Sequence, residues 1–220
     1  MRIAAIIPAR RGSVGIPGKN WRNFCGKPLV RWTVEQALGT PEIDEVIVTS
    51  DAPEIYAALS GRTVTWIARP DDLAQANTST EAAIAHAVMF KRRQAEKPDM
   101  VVLLQATSPL RRVDDISACI ALVRDAGGSA VSVVYAREWK FPVKNRTPRQ
   151  ARTELAENGS IYAVKTDALL GAMDRTTADA YTHLMPSWSR YEIDDEDDWW
   201  IVEGMFEKHI LKNGRVPLGI

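Results

Sequence analysis

Apolar residues cluster in short runs at 3–7, 46–48, 64–67, 101–104 and 130–134, broken only by Thr65 and Ser132. Neither face of these runs alternates with polar positions, so each predicts a strand buried on both sides. Between them the apolar spacing changes to that of helices, at 28–38, 53–59, 79–94 and 114–124, the third opened by a capping box from Thr78 to Glu81. Strand and helix in repeated alternation predict a mostly parallel, Rossmann-like α/β sheet covered on both faces. The pattern breaks over about 135–157, where prolines, basic residues and Trp139 follow neither period, predicting an inserted arm. A strand resumes at 160–164. Residues 195–211 predict a last helix, its first turn acidic through Asp195, Glu196, Asp197 and Asp198. The 220 residues fit a single domain, 1–220, carrying that arm.

Charge narrows the partners. The 28 basic residues balance 28 acidic ones, so the chain lacks the overall positive field of a nucleic-acid binder. No apolar run reaches the roughly 20 residues of a membrane span, and no membrane association is expected. Cys25 and Cys119 stand far apart with no metal-binding spacing, which suits a reducing cytoplasm. Seven tryptophans raise the question of a carbohydrate-binding surface, but Trp32, Trp199 and Trp200 fall in helical patterns and are expected in the core.

Chemistry concentrates after the first strand, in Pro8-Ala9-Arg10-Arg11-Gly12-Ser13-Val14-Gly15-Ile16-Pro17-Gly18-Lys19-Asn20. In an open α/β sheet the loop at the carboxyl end of the first strand is where ligands sit. Its glycines let the backbone approach an anion, and Arg10, Arg11 and Lys19 add positive charge, which together describe a polyphosphate cradle. The spacing fits neither a Walker loop nor a dinucleotide fingerprint. A second candidate is Glu192-Ile193-Asp194. Alternation along an extended segment puts both carboxylates on one face with Ile193 inward, so they could share a hard cation such as Mg2+. His86, His183 and His209 have no ligand spacing and read as packed or solvated side chains.

Ile7-Pro8-Ala9-Arg10, Ile16-Pro17-Gly18-Lys19-Asn20, Gly26-Lys27-Pro28-Leu29, Ala68-Arg69-Pro70, Leu103-Leu104-Gln105-Ala106-Thr107-Ser108-Pro109-Leu110-Arg111 and Asn158-Gly159-Ser160-Ile161-Tyr162 occur in that order. Together they resemble the signature of the CMP-N-acylneuraminate cytidylyltransferases, or CMP-sialic acid synthetases. The resemblance implies a nucleotide-diphospho-sugar transferase type of fold with a dimerisation arm. It also implies transfer of CMP from CTP to the anomeric hydroxyl of a nine-carbon acidic keto-sugar, sialic, legionaminic or related, with release of pyrophosphate. By the same resemblance Arg10, Ser13 and Lys19 hold the triphosphate, Asn20, Arg69 and Thr80 contact the nucleoside, and Gln105 and Tyr162 face the sugar. Asp194, with Glu192, holds Mg2+, and Arg10, Lys19 and Asp194 form the catalytic set. Outside their motifs Arg69 and Arg111 would read as surface ion pairs.

The chain departs from the family at three positions. Val14 replaces a common lysine, so that one phosphate contact is either missing or supplied by Arg11. Glu192 replaces an aspartate, and Ala156 stands where sialic-acid enzymes often carry arginine. Arg149 or Arg152 of the arm could then grip the sugar carboxylate with a planar guanidinium. Tyr135, Trp139 and Phe141, with Arg137 and Arg146, make the arm a candidate homodimer interface. The competing readings are a CMP-Kdo synthetase and a nucleotide-binding relative without catalysis.

Overall fold

The computed structural model describes residues 1–13, 15–135 and 154–212. The chain runs β1 (Ile3–Pro8), β2 (Asn23–Phe24), β3 (Lys27–Pro28), α1 (Leu29–Leu38), β4 (Glu45–Ser50), α2 (Pro53–Ala58), β5 (Thr65–Ala68), α3 (Thr80–Arg93) and β6 (Met100–Leu104). It continues through α4 (Val113–Ala126), β7 (Ser129–Tyr135), β8 (Leu155–Lys165), α5 (Thr166–Ala172), β9 (Tyr181–Leu184) and α6 (Glu196–Phe206), which ends in a wide turn over Glu207–Leu211.

Seven strands form one sheet in the order β5-β4-β1-β6-β8-β7-β9. All pairings are parallel except those of β8, which runs against both β6 and β7. Alternation along each strand feeds two apolar layers. Ile3, Ala5 and Ile7 of β1 join Val30, Ile55 and Ile116, placing α1, α2 and α4 on one face. Ala4 and Ile6 join Ile84, Val88 and Leu169, placing α3 and α5 on the other. The mostly parallel α/β sheet expected from the sequence is therefore the fold.

A third cluster lies at the carboxyl edge of the sheet and positions the chemistry. Phe24 and Leu29 of the β2–β3 hairpin and α1 pack on Trp32, Trp199 and Phe206, together with Ile16 from the glycine-rich loop and Ile193 from the acidic segment. The Phe24 and Trp199 rings meet edge-on at 5.4 Å, a favourable aromatic geometry. Two segments far apart in sequence are thus anchored on one apolar plug.

Several expectations need correction. The cap of α3 is Ser79, whose hydroxyl accepts from Ala82 N at 3.2 Å, one residue later than Thr78. Trp200 is 67% exposed, because α6 turns only Trp199, Val202 and Phe206 inward. The margins of the expected arm belong to the sheet, since Tyr135, Val134 and Val133 pair with Leu155, Ala156 and Glu157. The rest of the arm, with Arg137, Trp139, Phe141, Arg146, Arg149 and Arg152, lies outside the described residues, as does Val14. The acidic first turn of α6 forms as expected: Asp195 accepts from Asp198 N, and Asp198 from Asp195 N.

Candidate active site

Three loops at the carboxyl ends of β1, β5 and β6 surround a cavity of about 510 Å3. The first wall is the glycine-rich loop, of which Arg10, Ser13, Gly15, Lys19 and Asn20 line the cavity. Asn20 holds the loop closed by donating to the Arg10 carbonyl at 3.0 Å. Lys19 is buried in a single helical turn, donates to the Ile193 carbonyl and lies 3.6 Å from the Asp194 carboxylate. Arg11 points elsewhere. Its backbone N–H binds Asp51 and its guanidinium reaches Glu54 at 2.7 Å, so it does not make good the position of Val14.

The second wall descends from β5 to the start of α3. Arg69 is buried and donates to the Thr49 carbonyl at 2.7 Å, so the alternative of a surface ion pair does not apply to it. Burial lowers its pKa, the charge of Arg10 lowers it further, and Asp51 opposes both. Thr80, the first residue of α3, follows the cap Ser79 at the cavity edge. Leu73, Gln75 and Ser79 also line this wall without a site role expected from the sequence, as does Thr78, which was expected only as a helix cap. The signal was available in the polar run from Gln75 to Thr80, between two assigned residues.

The third wall is Gln105, Ala106 and Thr107 after β6, facing Asp194. Ile193 N donates to the Thr107 carbonyl at 2.9 Å, and its fully buried side chain fixes the acidic segment. Ile193 therefore points inward as expected, but the two acids on either side of it part. Asp194 stands in the cavity with its side chain 81% exposed. Glu192 does not line the cavity, because its longer side chain lies across Gly159 in space that a β-carbon would occupy. Gly159 has φ +65°, a conformation glycine adopts without strain. Burial first, and the charge of Asp194 second, push the Glu192 carboxyl above its ordinary pKa, against Ser108, Lys19 and Arg111.

Gly159 sits in an irregularity of the β7–β8 ladder. Between the pairs Val131–Tyr162 and Val133–Glu157, β8 carries extra residues opposite Ser132. Asn158 turns inward there, accepting from the Ser132 hydroxyl at 2.6 Å and donating to Ser189 at 3.2 Å. Tyr162 is also buried and is not brought to the cavity. Its side chain joins the layer under α3 and its hydroxyl donates to Glu157 at 2.9 Å, while Arg175 lies 4.5 Å over the ring. His183 meets Asp115 at 3.0 Å and His209 stacks on Trp188; neither they nor His86 line the cavity. Of the residues expected from the sequence, the structure brings together Arg10, Ser13, Lys19, Asn20, Arg69, Thr80, Gln105 and Asp194.

The arrangement suits a nucleoside triphosphate: two arginines and a lysine converge with glycine backbone on one side, and one exposed carboxylate stands where a cation and phosphate oxygens could share it. Among the described residues no group of three or more acidic, histidine or cysteine side chains converges. Mg2+ still fits, because it keeps several waters and takes few protein carboxylates beside phosphates.

The chain's sequence matches a family described as Cytidylyltransferase over residues 4–179. It is 40% identical over 136 residues to a CMP-N,N'-diacetyllegionaminic acid synthase of Legionella pneumophila, spanning 60% of this chain and 58% of that relative. It is 32% identical over 163 residues to a pseudaminic acid cytidylyltransferase of Campylobacter jejuni, spanning 74% of this chain and 67% of that one. In fold it resembles a CMP-2-keto-3-deoxy-manno-octonic acid synthetase complexed with CTP, with a TM-score of 0.72 and 19% identity over 96% of this chain and 100% of that one.

Proposed function

The chain belongs to the cytidylyltransferase family, and from that premise we propose that it transfers CMP from CTP to a nine-carbon acidic keto-sugar of the sialic or legionaminic type. The observation that carries this reading is one cavity uniting Arg10, Lys19 and Arg69 with Gln105 and Asp194. The cations suit a triphosphate and the Gln105 wall leaves room for an acceptor. The relatives named for legionaminic and pseudaminic acids support an acceptor of that class.

In this reading the anomeric hydroxyl oxygen attacks the α-phosphorus and gives up its proton to solvent, the bond from that phosphorus to the oxygen bridging it to the β-phosphorus breaks, and pyrophosphate leaves with that oxygen. Arg10 and Lys19 face the triphosphate and stabilise charge that builds on its oxygens. Asn20, Arg69 and Thr80 hold the nucleoside, Ser13 donates to phosphate, and Gln105 orients the acceptor. Asp194 would hold Mg2+, which when bound supplies charge neutralisation at the phosphates. Glu192 acts on that centre as a neighbouring charge. Arg149 and Arg152 are proposed to meet the sugar carboxylate, from an arm that joins two cytoplasmic subunits. Pyrophosphate release tests the whole: it should require CTP, Mg2+ and a nine-carbon keto acid together. Release from CTP and Mg2+ alone, or none with any keto acid, would overturn the reading.

A further inference from the structure

Arg111 is fully buried, yet among the described residues it joins no ion pair and feels only the more distant charges of Glu192 and Asp115. Its Nη2 donates to the carbonyls of Gln105 and Ser108, and its Nε donates to the Ser160 hydroxyl at 3.0 Å. These partners bracket Ala106 and Thr107, which line the cavity with Gln105. Ser160 follows Gly159, on which Glu192 rests. The root of the side chain is fixed as well. Gln36 of α1, also buried, donates to the carbonyls of Pro109 and Arg111 at 3.0 and 2.9 Å.

An arginine in this place is costly. Burial lowers its pKa to about 9, against the pull of Glu192 and then Asp115, and Nη1 has no hydrogen-bond partner among the described residues. Stability alone would be served as well by an apolar side chain of similar volume. What only the guanidinium supplies is a rigid fork whose donors fix two turns of backbone relative to each other. Resting on the proposed function, we propose that Arg111 is a positioning residue for the acceptor side of the cavity, holding the Gln105–Thr107 wall against the β8 bulge. Most of the nucleotide side stands apart from it, because Arg10 follows β1, Arg69 follows β5 and Thr80 opens α3, while Lys19 meets the wall indirectly through Ile193, whose N–H donates to Thr107.

The test compares Arg111→Met, Arg111→Lys and Ser160→Ala. A wall displaced by about an ångström costs up to about a hundredfold in rate. Arg111→Met is expected to raise the acceptor KM about tenfold or more while calorimetry gives a CTP Kd within about twofold of wild type. Arg111→Lys should restore part of the loss, since an ammonium can still donate to two carbonyls, and Ser160→Ala should move the acceptor KM in the same direction by less. Amide exchange should accelerate at 105–111, at 158–161 and at Ile193, whose N–H donates to the Thr107 carbonyl, and stay unchanged in β1, β4 and α3. If CTP affinity and acceptor KM change together, or neither changes, the inference is wrong. Should Arg111→Met fail to fold, Arg111→Lys and Ser160→Ala decide by the same criteria. Should the wild type turn over no keto acid, the function reading fails, and local exchange with unchanged CTP affinity still decides the role of Arg111.

Discussion

The carbonyl of Asp194 occupies the space that a β-carbon on Gly15 would need, so the phosphate-facing loop and the acidic segment touch backbone to backbone. Lys19 reinforces the contact through the Ile193 carbonyl. A side chain at Gly15 must push the acidic segment away from the cavity. Gly15→Ala is therefore expected to lower kcat about tenfold or more while lowering Tm by only a few degrees. Steady-state kinetics with a melting curve check it, and a fully active variant would show that the contact does not matter.

Asp194 and Glu192 should separate in metal binding. Asp194→Ala removes the exposed cavity carboxylate and should weaken Mn2+ binding, read by electron paramagnetic resonance, along with several kcal/mol of catalysis. Glu192→Gln should change Mn2+ affinity far less. A folded Asp194→Ala protein that turns over within about threefold of wild type would remove Asp194 from the site.

Arg10 and Lys19 are expected to act on CTP rather than on the acceptor. Arg10→Ala should weaken CTP in calorimetry with little change in Tm. Lys19→Ala should weaken CTP and also lower Tm, because it leaves the Ile193 carbonyl without its buried donor. Unchanged CTP affinity in both variants would contradict the triphosphate cradle.

Glu192 should leave a signature in pH dependence. Its folded pKa is raised, so the folded state holds that proton more tightly than the unfolded chain, and stability is lost as pH rises through the folded value. In metal-free buffer Glu192→Gln should therefore melt above wild type at neutral pH. The difference should shrink as pH falls through the raised value and vanish below the unfolded value of about 4.3. A constant difference across that range would contradict the assignment.

The sheet was legible because its inner strands are continuous apolar runs, and the glycine-rich loop because its charges and glycines sit at the end of the first. β9 was not, since Tyr181 and Leu184 are exposed at a sheet edge and leave no alternation. α5 buries only Thr166 and Leu169, too few to mark a helical face. In the site, Asp194 was found by alternation, while the diversion of Glu192 depends on the space over Gly159, a contact across more than thirty residues of sequence. Arg111 stood in a recognised motif, but its burial depends on β8, α1 and the β6 loop meeting around it. Gln75 carries no periodic signal in the sequence, and Thr78 reads there as a helix cap, a part that Ser79 takes in the structure.

The proposed reaction is tested most directly by identifying its product. The protein, CTP and Mg2+ should be incubated separately with N-acetylneuraminate, legionaminate, pseudaminate, the deaminated nine-carbon acid and Kdo, and the mixtures resolved by mass spectrometry. A CMP-sugar is expected with at least one nine-carbon acid, formed faster than with Kdo and absent when UTP replaces CTP. A CMP-sugar with Kdo alone, or none with any of the five, would contradict it.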